Sequence, residues 1–376
     1  MRGALKSLYC GRAATRVAGF ATVLRRLTLA GAVVALAGLP LRALAQESAE
    51  DRVRRVLSEV PLFDGHNDLP GKIRDIKTAE GDVGIYDLRR RTDGDTDLPR
   101  LREGMVGAQF WSVHVSVDHP RPAMQQLEQL DVARRILDAY PDAFEFAGTA
   151  SDVDRVFGSG KIASLFGIEG GHVIENSLGA LRAFYDAGVR YMGLTHFSNT
   201  DWADSATDSI IVGGLSPFGE EVVREMNRMG MLVDLSHVSP GAMSDALDVA
   251  DAPVIFSHAG ARALADHPRN VPDSILRRLP ENGGVLMQLF YPPYLTVEEG
   301  ATTSIGTVAD HIEHIRDVAG IDHVGIGSDF DGIPEYVPGL EDVSTYPALF
   351  EELVRRGWSD TDLRKLAGEN ILRVMR

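Results

Sequence analysis

Eight short apolar runs, each closing on polar residues, recur along the chain: Val60–His66, Val106–Val115, Ile162–Glu169, Tyr191–Phe197, Met231–His237, Pro253–His258, Val285–Phe290 and Val324–Asp329. Several are unbroken stretches of Val, Ile, Leu, Phe and Met, the pattern of parallel strands covered on both faces. Between them lie stripes at helical spacing. Phe218, Val222, Met226 and Met229 repeat at three or four residues, as do Ile305, Val308, Ile312 and Ile315. Further helices are expected over Gln125–Tyr140, Asn176–Ala187, Pro240–Ala250 and Leu349–Arg356. Gly188, Gly230, Gly320 and Gly357 stand just past helical stretches, where a left-handed residue ends a helix at little cost. Strands alternating with helices over this length predict an α/β protein, a (β/α)8 TIM-like barrel. An open doubly wound sheet is the competing architecture, disfavoured because no Gly-rich phosphate-binding turn follows the first run. The charged stretch Leu69–Gly104 predicts an excursion over one end of the barrel.

Charge and cysteine content then narrow the chemistry. A formal net charge of -16 argues against a nucleic-acid partner, because such proteins present a basic face to phosphate. The single cysteine, Cys10, leaves no intramolecular disulfide and no all-cysteine metal site. Any metal must be held by His, Asp and Glu.

The basic residues are unevenly spread. Residues 1–45 hold Arg2, Lys6, Arg12, Arg16, Arg25, Arg26 and Arg42 and no acid, followed from Leu27 to Leu41 by an apolar stretch and then Ala43-Leu44-Ala45. A basic region, an apolar region too short to span a bilayer and a small-x-small site predict an export signal cleaved after Ala45, giving a periplasmic or secreted protein. An uncleaved N-terminal anchor is the alternative. Residues 46–376 are expected to form one catalytic domain. The polar stretch Ser359–Arg376 offers no lipid-anchor tail.

Active sites of such barrels form where the strands end. Six of the eight runs place a His or a carboxylate there: His66 and Asp68, Glu169, His196, His237, His258, and Asp329 with Asp331. One His-x-Asp is weak, since His and Asp flank turns for capping reasons. Shared registration on six strands is harder to produce by accident. Four or five N/O ligands exceed what one tetrahedral zinc with an open position needs, and suit two divalent ions bridged by a carboxylate such as Glu169. His66, Asp68 and Glu169 would serve one ion, and Glu169, His237 and His258 the other. A water between two zinc ions is deprotonated near neutral pH, so the expected chemistry is hydrolysis. His196 and Asp329 remain free to act on substrate.

The motifs His66-Asn67-Asp68, Ile168-Glu169-Gly170-Gly171-His172, Leu194-Thr195-His196, Gly214-Leu215-Ser216-Pro217-Phe218-Gly219, Asp234-Leu235-Ser236-His237, Ser257-His258, Arg269-Asn270-Val271-Pro272 and Gly327-Ser328-Asp329-Phe330-Asp331-Gly332 together resemble the membrane (renal) dipeptidases, zinc dipeptidases of the amidohydrolase superfamily. The resemblance runs from about Val53 to the C-terminus. It implies two Zn2+ per chain held by His66, Asp68, Glu169, His237 and His258, and substrate contacts from His196, Arg269 and Asp329. It further implies a homodimer and hydrolysis of dipeptides, commonly with a D-residue at the C-terminal position. The cysteines and lipid-anchor signal of animal members are missing here.

A dipeptide zwitterion needs one counter-charge at each end. Asp329 suits the amine, Arg269 the carboxylate, and His196 can stabilise the developing oxyanion. Hydrolysis of another bond, in a lactone, β-lactam or phosphoester, and a non-catalytic ligand-binding barrel are the alternatives. Some groups have blander readings. His311 and His314, three apart on a helix with no H-E-x-x-H arrangement, are expected to face solvent. His172 fits either a ligand's hydrogen-bond partner or loop packing. Trp111, Trp202 and Tyr291 are candidates for the pocket wall, although large aromatics more often just pack.

Overall fold

The structure, a computed structural model, describes residues 47–376 apart from 79 and 299; the export segment expected at 1–45 lies outside the described residues. Every apolar run becomes a strand. These are β1 (Leu62–Asn67), β2 (Val106–Ser112), β4 (Ile162–Ile168), β5 (Val189–Gly193), β6 (Leu232–Asp234), β7 (Ile255–Ala259), β8 (Val285–Gln288) and β9 (Val324–Ile326), with a three-residue strand, β3 (Phe144–Phe146), added between β2 and β4. All pairings are parallel. The order β2-β1-β9-β8-β7-β6-β5-β4 closes through a β2–β4 ladder that opposes Ala108 to Ala163, so eight strands form a closed barrel and β3 extends from β4 outside it. The fold is a (β/α)8 barrel.

Continuous apolar strands follow from this closure, since one face meets the barrel interior and the other the helices. Phe63, Phe110, Leu165, Tyr191, Ile255 and Met287 fill the inside. The outer layer packs the helical stripes: Val222 and Met226 on the helix Pro217–Met229, and Val308, Ile312 and Ile315 on Ile305–Ala319, are buried. Ser216 and Ser239 cap the helices that follow β5 and β6, their side chains accepting the N–H of Gly219 and Ala242. Gly188, Gly230, Gly320 and Gly357 all have positive φ, between 78° and 101°.

The C-terminal segment has a structural task its polar composition hides. Leu366, Ile371, Leu372 and Val374 are buried, and Asn370 donates to the carbonyls of Ile321 and Val324, so Asp360–Met375 stoppers the barrel at the strands' N-terminal ends. No helix of the described residues is long and apolar enough to cross a membrane.

Candidate metal centre and substrate cavity

All the strand-end groups meet at one rim. His66 lies in β1 with Asp68 just beyond, Glu169 follows β4 directly, and His258 lies in β7. His196, His237 and Asp329 each stand a few residues past the ends of β5, β6 and β9. The Oε1 of Glu169 is 2.9 Å from His237 Nε2, 3.3 Å from His258 Nε2, 3.6 Å from His196 Nε2 and 3.7 Å from His66 Nε2. His66 Nε2 is 3.2 Å from Asp68 Oδ2, and His237 Nε2 is 3.0 Å from His258 Nε2.

These separations can be tested against zinc. Two ligands at 2.0–2.1 Å from a tetrahedral ion lie roughly 3.3 Å apart. The sets His66, Asp68, Glu169 and Glu169, His237, His258 fall around that spacing and share Glu169. His66 Nε2 is buried without a hydrogen-bond partner. Buried imidazoles and carboxylates crowded in this way are costly unless a cation pairs them. The donor set fits two zinc ions.

Local structure aims these groups. His66 Nδ1 is 2.8 Å from the Tyr191 hydroxyl, and Gly167 makes room for that phenol, since a Cβ there would lie 2.0 Å from the ring. Between Asp64 and His66, Gly65 lets β1 approach the Ser257 carbonyl, 2.5 Å from where a Cβ would be. His237 and Asp329 adopt φ of 69° and 70°, left-handed values uncommon outside glycine and concentrated at functional sites.

Neighbouring charge sets the protonation states. Burial works against a charged His66, but Asp68 and Glu169 outweigh it and hold its pKa up at about 10. Burial, joined by the Arg269 charge, pushes His237 and His258 well below the usual histidine range. Burial also takes His196 down to about 4. Asp329 is pushed well up by burial, with Asp68 and Glu169 adding to it.

A cavity of about 920 Å³ opens onto this centre, lined among others by Glu169, His196, His237, Arg269, Tyr291 and Asp329. Arg269, on the loop after β7, is buried: one nitrogen donates to the His258 carbonyl at 2.8 Å, while Nε and Nη1 have no partner. Unused guanidinium N–H groups beside a cavity can pair with a carboxylate. The Leu69–Gly104 excursion reaches the same cavity through Lys72, Tyr86 and Asp93. Asp331 also lines it, but exchanges hydrogen bonds with Asp95, each accepting the other's peptide N–H at 2.8 Å.

One cavity residue escaped the sequence reading. His114, just past β2, lines the cavity with its ring centroid 4.6 Å from that of His196, and brings a ligand atom near Glu169 and His196. Its signal was present, a histidine closing an apolar run like the others. His311 requires a correction: it is buried, its Nδ1 accepting the Ala261 N–H at 3.1 Å and its Nε2 lying 3.0 Å from the Leu295 carbonyl. It falls on the inward stripe, three residues after Val308 and four before Ile315, and ties together the loops after β7 and β8. His314 is partly buried and pairs with Asp273 at 2.8 Å. His172 lies in the turn after β4 with its Nε2 buried and unpartnered. Trp111 and Trp202 are buried packing residues, against Phe144 and Phe218.

Known proteins offer an independent comparison. The family model for membrane dipeptidases, peptidase family M19, matches residues 50–376. The probable dipeptidase PvdM from Pseudomonas aeruginosa shares the fold, with a TM-score of 0.79 and 24% identity over 87% of this chain and 97% of its own. A metallopeptidase from Rhodobacter sphaeroides, solved with a phosphinate mimic of the dipeptide L-Ala-D-Ala, is 27% identical over 84% of this chain and 98% of its own, with a TM-score of 0.75. The motifs, the barrel and the family match over nearly all the described residues agree: this chain belongs to the membrane dipeptidase family of metallopeptidases.

Proposed function

We propose that the protein is an exported zinc dipeptidase, active on dipeptides including those with a D-residue at the C-terminal position. The observation that carries this reading is the convergence of four histidine Nε2 atoms on one Glu169 oxygen, beside a cavity that Arg269 and Asp329 also line. In this reading His66, Asp68 and Glu169 hold one Zn2+, and Glu169, His237 and His258 hold the second. When bound, the two ions would polarise the scissile carbonyl and acidify a water for attack.

The chain's own groups do the rest. Arg269 supplies the cation that pairs with the substrate carboxylate. Asp329 receives the amine, and its raised basicity suits it to take a proton and hand it to the departing nitrogen. His196, kept neutral, donates to the oxygen on which charge develops. Opposite charges at two ends of one cavity favour a short zwitterion over a neutral lactone. The dipeptide mimic held by the Rhodobacter sphaeroides relative supports acceptance of a D-residue. The basic and apolar composition of residues 1–45 supports export, and the family resemblance supports a homodimer.

Turnover of an L,L- and L,D-dipeptide panel, before and after chelation and again after zinc is restored, tests the proposal. Hydrolysis should vanish with chelator and return with zinc. Zinc-loaded protein that cleaves lactones or phosphotriesters but no dipeptide would overturn it.

A further inference from the structure

Two buried aspartates stitch neighbouring barrel strands together beneath the metal centre. On the β1/β9 seam, Asp64 accepts the Ser328 peptide N–H at 2.8 Å, the Ser328 hydroxyl at 2.6 Å and the Tyr346 hydroxyl at 2.5 Å. On the β6/β7 seam, Asp234 accepts the Ser257 peptide N–H at 2.8 Å and the Ser257 hydroxyl at 2.6 Å. Each serine directly precedes a residue of the centre, Asp329 or His258. The clamps look alike as fastenings.

They differ in what the serine touches next. Ser257 Oγ is 2.9 Å from His258 Nδ1, whereas the other partners of Ser328 Oγ are the His66 carbonyl, the Tyr346 hydroxyl and the Phe330 peptide N–H, and no ring. A hydroxyl has one proton, and the Ser257 hydroxyl donates it to Asp234 Oδ2. With that proton committed to Asp234, Ser257 Oγ is an acceptor toward His258. The imidazole must then carry its proton on Nδ1, which leaves the Nε2 lone pair bare, and Nε2 is the atom 3.3 Å from Glu169. Ser257 Oγ also lies 3.3 Å from the Ser236 hydroxyl.

We propose that Asp234 is a positioning residue: through Ser257 it fixes the tautomer and ring orientation of His258 for metal, while Asp64, in matching geometry, holds only backbone and strand, accepting the His66 peptide N–H at 3.2 Å but reaching no ligand ring. The inference rests on the two-zinc reading above. Groups placed behind a metal-binding histidine in this way are typically worth about 10–100-fold in metal affinity.

The test compares full-length Asp234→Asn, Ser257→Ala and Asp64→Asn. Zinc affinity is read by competition with a chromogenic chelator, the d–d absorption of Co2+-loaded protein reports ligand geometry, and melting temperature is followed for each. Asp234→Asn and Ser257→Ala should weaken one zinc site by about 10–100-fold and shift the cobalt spectrum. Asp64→Asn should lower the melting temperature yet leave affinity and spectrum at wild-type values. Should Asp234→Asn not fold, the milder Ser257→Ala decides alone. Equal effects of the Asp64 and Asp234 changes, or no effect of Ser257→Ala on affinity, would overturn the inference while the zinc reading stands. Wild-type protein that takes up no zinc would remove both.

Discussion

His66 and the pair His237 and His258 occupy the same rim, are equally buried and face the same carboxylate, yet their pKa values move in opposite directions. Burial alone lowers all three. On the β1 side Asp68, Glu169 and Asp329 supply negative charge within 4 Å of His66 Nε2, whereas the β6/β7 side has Glu169 alone and the Arg269 cation nearby. Which charges line a buried site, rather than how deeply it is buried, sets the character of each half.

Glu169 is the one group common to both halves, so Glu169→Gln should have the largest effect. Dipeptide turnover should fall by roughly 10³-fold or more, with zinc content dropping at both sites. If elemental analysis found one full equivalent retained, the halves would be independent and the comparison would need redrawing. His196 belongs to neither half. His196→Ala should therefore cost about 10²–10³ in kcat with both metals kept, and loss of zinc in that variant would place it among the ligands instead.

The third test acts on the loops after β7 and β8. His311→Phe leaves the Ala261 N–H and Leu295 carbonyl without partners and should destabilise the fold by about 1–3 kcal/mol, read by denaturant unfolding. Because the loops it joins carry Arg269 and Tyr294, KM for dipeptides should rise more than kcat falls. Unchanged stability would contradict the buried placement of this ring.

The smallest effect is a slope. Burial, with Asp95 adding to it, holds the Asp331 carboxyl at about 7, above its ordinary 3.8. The folded protein then binds this proton more tightly than the unfolded chain, so the stability it contributes is full below pH 3.8 and is lost as pH rises toward 7. Asp331→Asn should flatten the decline in melting temperature across that window. A slope identical to wild type would mean that Asp331 is ionised throughout.

The barrel was legible because closure buries both faces of each strand and leaves unbroken apolar runs. Phe144–Phe146 left no such mark, being three residues long and outside the closed ring, with Phe146 partly exposed. The C-terminal stopper left no mark in composition, since charged positions surround an inward stripe of Leu366, Ile371, Leu372 and Val374. At the site, the ligand candidates were readable as residue types recurring at one position of each strand. His114 obeyed the same rule and went unread within its apolar run. His311 lacks an H-E-x-x-H arrangement, which points to solvent, yet its spacing from Val308 and Ile315 sets it on the buried stripe. The Asp234–Ser257–His258 chain was beyond reach, because hydrogen bonds across a seam depend on register between strands far apart in sequence.

The stopper at the foot of the barrel carries a last consequence. With Ile371, Leu372 and Val374 packed against interior residues such as Phe63 and Val285, the described residues close the foot of the barrel. Whatever enters by the rim must depart the same way, so two freed amino acids and the next incoming molecule share one passage, and traffic through it bears on turnover alongside the cutting of the bond.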